Sequence, residues 1–193
     1  MLKIIIDKSY LFVFLTFFLI FVLYNFFGDY MYYLKCFFIT SILGFFVESI
    51  LWHGHESGIL YGPWTFIYGI GSIIIIILYD KILRKRHLNK FLRFIILFFS
   101  CFMILTLVEL LGGLFIEKFF GVSFWDYTKY RFNVGKYISL EMSLLWVGAS
   151  IFFVFILRPI IDYIINKFPN FIFYIFSFLF VVDIIATIFF RDF

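Results

Sequence analysis

The sequence predicts an all-α fold, a polytopic membrane bundle of about six transmembrane helices, with residues 1–193 forming a single integral membrane domain. Three observations predict it. Hydrophobic residues make up 65% of the chain and charged ones only 15%, with a mean hydropathy of +1.09, whereas a soluble domain is nearer half apolar and a quarter charged. A span needs about 20 apolar residues, or roughly 30 with its loop, and 193 residues therefore hold about six. Six apolar segments are indeed visible, at 9–27, 32–52, 60–79, 91–116, 138–158 and 170–190, joined by charged connections at 53–59, 80–90, 117–137 and 159–169. This organisation excludes a water-soluble globular protein and a disordered tail. The net charge of +4 reflects loop lysines and arginines, so no nucleic-acid partner is expected.

Segment 9–27 follows Lys3, Asp7 and Lys8 and has no small-residue cleavage site, so it reads as a retained helix and not a signal peptide. Segment 32–52 carries Ser41, Gly44 and Glu48, continuing to Trp52 and His55, on one helical stripe. Segment 60–79 opens with Gly62-Pro63, which breaks or starts a helix. It contains Tyr68, Gly69 and Gly71, where irregular backbone is tolerated only in a protein interior or a wet cavity. Segment 91–116 places Thr106, Glu109 and Gly113 on a stripe that runs on to Glu117. Small residues there let helices approach closely. Segment 138–158 begins beside Glu141, and segment 170–190 puts Asp183 on a face with Thr187 and Arg191. Cys36 and Cys101 lack a CxxC spacing and read as buried thiols.

Lysine and arginine counts orient the chain. Connections 53–59 and 117–137 and the two ends hold seven basic residues; the opposite side holds nine, dominated by the 81–93 cluster. That cluster is placed in the cytoplasm.

Four carboxylates, Glu48, Glu109, Glu141 and Asp183, fall in apolar segments. Each costs about 3 kcal/mol if left facing lipid, so each must find a partner, a proton or the bundle interior. All four lie nearer the side of connections 53–59 and 117–137, which points to an acidic cavity opening there. Within 53–59, His53 and His55 beside Glu56 could ligate a metal or relay protons with Glu48. The pattern is short, so neither a metal nor any other cofactor is expected. In 117–137, Trp125, Asp126, Arg131 and Asn133 are interleaved with aromatic rings. That mixture suits a membrane interface or a lid over the cavity, off bulk solvent, with Arg131 pairing an acid or an anionic headgroup. No GxxxxGK[ST], HExxH or GxSxG is present.

The middle segments, from Ser41 to Trp146, resemble a family of small bacterial membrane proteins labelled ABC-transporter permeases, of the CmpB-like type. Gly44 to Glu48 resembles its G-W-x-x-E. Gly62-Pro63 with Ile67-Tyr68-Gly69-x-Gly71 resembles G-P-x-x-P-I-Y-G-x-G. Glu109, Gly113 and Glu117 resemble an acidic pair at the same spacing. Phe124-Trp125-Asp126-Tyr127 followed by Phe132-Asn133 resembles W-W-D-Y-S and F-N. Phe66 replaces a usual Pro, Ser57 an Arg, and Lys136-Tyr137 a Gly-Arg; Lys136 or Arg131 would have to take over any anion-binding role of the lost Arg. The resemblance implies a permease with a separate ATPase.

Three functions fit. The first is a transport component in the cell membrane, binding a small solute or lipid in the acidic cavity and docking a cytoplasmic ATPase at 80–93. The second is a membrane-embedded enzyme acting on a lipid or lipid-linked substrate, with Glu48, His53 or His55, and Asp126 as acid, base or metal ligand. The third is a regulatory membrane subunit without ligand. Membrane lipids are partners in every case.

Overall fold

The computed structural model describes residues 30–51, 60–84 and 86–190. Segment 9–27, the loop with His53, His55 and Glu56, and residues Lys85 and Arg191 lie outside the described residues. Among the described residues, five helical stretches are long and apolar enough to cross a membrane: Tyr30–Ile50, Phe66–Leu83, Lys90–Phe119, Leu140–Ile165 and Asn170–Phe190. They match the five later apolar segments, because a membrane span must satisfy its backbone internally and a helix does so residue by residue. Contacts divide the described residues into two compact units, one built from those between 30 and 70 and from 163 to 190, the other from those between 71 and 162.

In the first unit, α1 (Tyr30–Leu51) packs against the last helix, α6 (Asn170–Phe190). The contact is aromatic. Phe37 meets Phe180, and Phe38 meets Phe176, Phe180 and Trp64, edge-to-face at 5.6–5.9 Å, and Trp64 meets Phe176 and Phe180 at 6.0 Å, an arrangement worth about 0.5–1.5 kcal/mol per pair beyond area burial. Lys35 near the start of α1 donates from Nζ to the carbonyls of Ile165 (3.3 Å) and Phe168 (3.4 Å). It thereby supplies a cation to a helix end that has run out of N–H partners.

The second unit contains a π-helical stretch (Leu78–Leu83), α3 (Lys90–Phe120), a short hairpin and α4 (Leu140–Phe152). The π stretch continues α2 (Phe66–Ile77), which starts within the first unit. Helix α3 begins at Asn89, whose side chain accepts the Leu92 N–H at 2.7 Å, and ends at Gly121, in the left-handed region with φ 73°. At 31 residues it is about 46 Å long, more than a hydrocarbon core of about 30 Å requires. The hairpin pairs β1 (Asn133–Val134) with β2 (Ile138–Ser139) across Gly135, which has φ 67°. Ser139 is fully buried and accepts the Met142 N–H at 3.1 Å, capping α4.

Three expected boundaries move. The span starting at Leu140 does not stop at 158. It passes through a second π-helical stretch (Phe153–Leu157) into α5 (Arg158–Ile165), leaving only 166–169 as a turn. The charges of Arg158 and Asp162 gave this part the look of a loop, but Arg158 is neutralised by Asp80, to which it donates two hydrogen bonds. Glu117 belongs to α3 and not to the following connection. Segment 60–79 does not begin as helix; residues 60–65 are irregular and α2 starts at Phe66. Neither cysteine forms a disulfide, and both are buried.

Candidate functional site

The four membrane carboxylates fall two to each unit, Glu48 and Asp183 in the first and Glu109 and Glu141 in the second. In the first unit the stripe of α1 meets the segment after residue 60. The Ser41 carbonyl accepts the Thr65 N–H at 3.2 Å, Gly44 lies against the Tyr68 ring, and Glu48 is within hydrogen-bond reach of Tyr68. Asp183 on α6 accepts the N–H groups of Tyr61 (3.0 Å) and Gly62 (2.8 Å), and the Thr187 hydroxyl at 3.4 Å. Irregular backbone at membrane depth needs partners for its free N–H groups, and Asp183 provides two. Its first role is therefore architectural. Asp183→Ala is expected to lower stability by about 2–3 kcal/mol, since two donors lose their acceptor. A midpoint of thermal unfolding in detergent unchanged from wild type would refute this.

The second unit uses the whole α3 stripe. Thr106 donates to the Ser143 hydroxyl on α4 at 2.8 Å. Glu109, only 3% exposed, accepts on one oxygen, Oε1, from both the Tyr127 hydroxyl (2.5 Å) and Trp146 Nε1 (2.9 Å). Gly112 and Gly113 leave room for the rings of Trp125 and Tyr137, which themselves meet edge-to-face at 6.0 Å. Glu117 pairs with Lys136 at 2.7 Å. Connection 121–139 thus folds back along α3. Three buried polar atoms of this face have no partner, the second Glu109 oxygen, Oε2, Trp125 Nε1 and the Tyr137 hydroxyl. No Lys or Arg pairs with Glu109 among the described residues.

The remaining expected residues lie at the outer part of this connection. Glu141 accepts the Phe132 N–H at 3.2 Å, and its other oxygen is buried without a partner. Asp126 and Arg131, expected off bulk solvent, are both exposed. Asp126 closes its own turn by accepting the Thr128 N–H at 2.8 Å, and the Thr128 hydroxyl and N–H hold its carboxyl below the usual range. Arg131 lies over the Phe132 ring at 5.3 Å. Asn133 donates to the Gly135 carbonyl at 2.9 Å, tying the hairpin. Lys136 is held above its ordinary range, first by the hydrogen bond to Glu117. His53 and His55 lie outside the described residues, and among the described residues no cluster of metal-ligating side chains forms.

Sequence reasoning missed Tyr127, Ser143 and Trp146 as partners of the α3 stripe. A signal was present for two of them, because Ser143, Trp146 and Ser150 recur at i, i+3 and i+7 on an otherwise apolar helix.

No match is found among curated proteins or among solved structures. The sequence model of one family does match, over residues 35–190. That stretch includes four described spans whole, the first from residue 35 on, and both carboxylate pairs, and on it the chain belongs to the family described as "Putative ABC-transporter type IV".

Proposed function

We propose that this chain is the membrane-spanning subunit of a cell-membrane transporter and that Glu109 is the centre of its binding site for a small solute or lipid. One observation carries the reading: a carboxylate buried among membrane-spanning helices, with two donors on one oxygen and none on the other. An ionisable group inside a membrane bundle is costly, and such groups mark substrate and ion paths. Membership of an ABC-transporter family supports a separate ATPase as energy source. The basic cluster of residues 81–93 offers its docking point; Lys81, Arg84, Arg86 and Lys90 are all exposed. Under this reading Glu48 and Asp183 shape the first unit, and the Glu109 face receives the ligand.

The test is a tagged purification in mild detergent followed by mass spectrometry. The expected result is a stoichiometric ATPase that is lost when Arg84 and Arg86 are replaced by Glu. A chain that purifies without any ATPase would overturn the transporter reading.

A further inference from the structure

We propose that the β1–β2 hairpin is an anchor in the membrane–water interface that takes anionic phospholipid headgroups, with its apolar outer face among the upper acyl chains and Lys129 and Arg131 on the phosphates. The hairpin lies beyond the C-terminal end of α3, whereas the basic cluster of residues 81–93 lies at its N-terminal end. The proposal therefore depends neither on Glu109 nor on an ATPase.

The hairpin has two unlike faces, and its register assigns residues to them. Asn133 pairs with Ser139 and Val134 with Ile138, and the Leu140 N–H donates to the Phe132 carbonyl at 3.0 Å. That bond sets Phe132 opposite Leu140. Residues directly opposite share a face, and successive residues alternate between faces. Tyr137 and Ser139 take the inner face: both are buried, and the Tyr137 ring lies against Gly113 of α3. Phe132, Val134, Ile138 and Leu140 make up the outer face. Phe132 is 55% exposed, Val134 is 70% exposed, and Leu140 is exposed as well.

The neighbouring helix indicates what covers this face. Leu140 is also the first residue of α4, and Leu144, one turn on, is exposed too. Because α4 opens a membrane span, its exposed leucines face acyl chains, and the outer face of the hairpin continues that surface. A protein partner fits less well, since four side chains fall far short of a stable interface of about 1,200 Å² or more.

The charges select the lipid. Lys129 and Arg131 are exposed, and neither forms an ion pair among the described residues. Arg131 lies over the Phe132 ring at 5.3 Å, which ties a cation to the apolar face. The nearby acids are engaged elsewhere: Glu117 with Lys136, Asp126 with the Thr128 N–H, and Glu141 with the Phe132 N–H. Two uncommitted cations beside an apolar face match a negatively charged lipid surface.

The full chain is reconstituted in nanodiscs of phosphatidylcholine and phosphatidylglycerol, with an environment-sensitive fluorophore on Val134→Cys. Cys36 and Cys101 are buried and remain unlabelled. Quenchers are iodide in the water and, in separate discs at equal mole fraction, phosphatidylglycerol or phosphatidylcholine with a nitroxide near the top of the acyl chain. Both nitroxide lipids should quench and iodide should not. Phosphatidylglycerol should be enriched around the label by about 5–25-fold over phosphatidylcholine. Arg131→Gln should lower that enrichment by about fivefold, and Lys129→Gln with Arg131→Gln should abolish it while phosphatidylcholine still quenches. Arg84→Gln with Arg86→Gln, at the other end of α3, should leave it unchanged. The proposal is overturned if iodide quenches and neither lipid does, since the face then lies in water. It is also overturned if the two lipids quench the otherwise unsubstituted chain equally, if the enrichment survives loss of Lys129 and Arg131, or if the Arg84 and Arg86 variant loses it as well. Should the Val134→Cys chain fail to assemble, the fluorophore on Phe132→Cys gives the same reading, because both positions lie on the outer face.

Discussion

Arg158→Ala is expected to destabilise the second unit by about 3–5 kcal/mol, the range found when one member of a buried ion pair is removed. Arg158 donates from both terminal nitrogens to the two oxygens of Asp80, and the side chains are 14% and 24% exposed. Asp162, four residues on, stands at 3.7 Å and is 41% exposed, too solvated to replace Asp80. Removing the guanidinium therefore leaves a half-buried carboxylate with no cation. Arg158→Lys should fall between, since an ammonium presents one point charge where the guanidinium presents a fork. Thermal unfolding in detergent checks the order wild type, Arg158→Lys, Arg158→Ala. Equal midpoints for the first and last would mean that solvent already screens the pair.

Two adjacent glycines should respond in opposite directions. A Cβ on Gly113 would run into the Tyr137 ring, and Tyr137 is 3% exposed and cannot swing away. Gly113→Ala should therefore lift residues 121–139 from α3 and cost about 1–3 kcal/mol through overpacking. On Gly112 the same Cβ would stop 3.7 Å from Trp125, an ordinary contact. Gly112→Ala should be neutral or gain up to about 1 kcal/mol from helix propensity. The amide exchange of residues 124–139 provides a second reading, faster in Gly113→Ala and unchanged in Gly112→Ala. If both variants behave alike, the fold-back of this connection onto α3 is wrong.

The spans were legible because hydropathy alone decides where a helix can cross a bilayer, and this chain leaves 26% of its residues to aromatic side chains that mark those stretches clearly. The α3 stripe was legible for a related reason: Thr106, Glu109, Gly113 and Glu117 interrupt an apolar run at helical spacing. What each of them touches was not. Tyr127 and Trp146 lie 18 and 37 residues from Glu109, and no local rule pairs groups across a turning chain. The role of Asp183 was hidden similarly. Its partners are backbone N–H groups 121 and 122 residues away, released because Gly62-Pro63 delays the helix, and a backbone donor has no signature in a sequence. The continuation of the Leu140 span through Arg158, Pro159 and Asp162 was obscured because charge and proline together imitate a loop.

The two π-helical stretches also set a phase. Asp80 lies within one and Arg158 directly follows the other. A π turn holds one residue more than an α turn, so each stretch absorbs one residue and leaves the side chains beyond it about 100° behind the phase an unbroken α-helix would give them. The ion pair therefore depends on a count as well as on two residues. Forcing 153–157 into α register at unchanged length would rotate Arg158 off Asp80, whereas deleting one residue there removes the π turn and leaves Arg158 facing Asp80, with every charge in place either way. A deletion in 166–169, past α5, would leave that alignment unchanged.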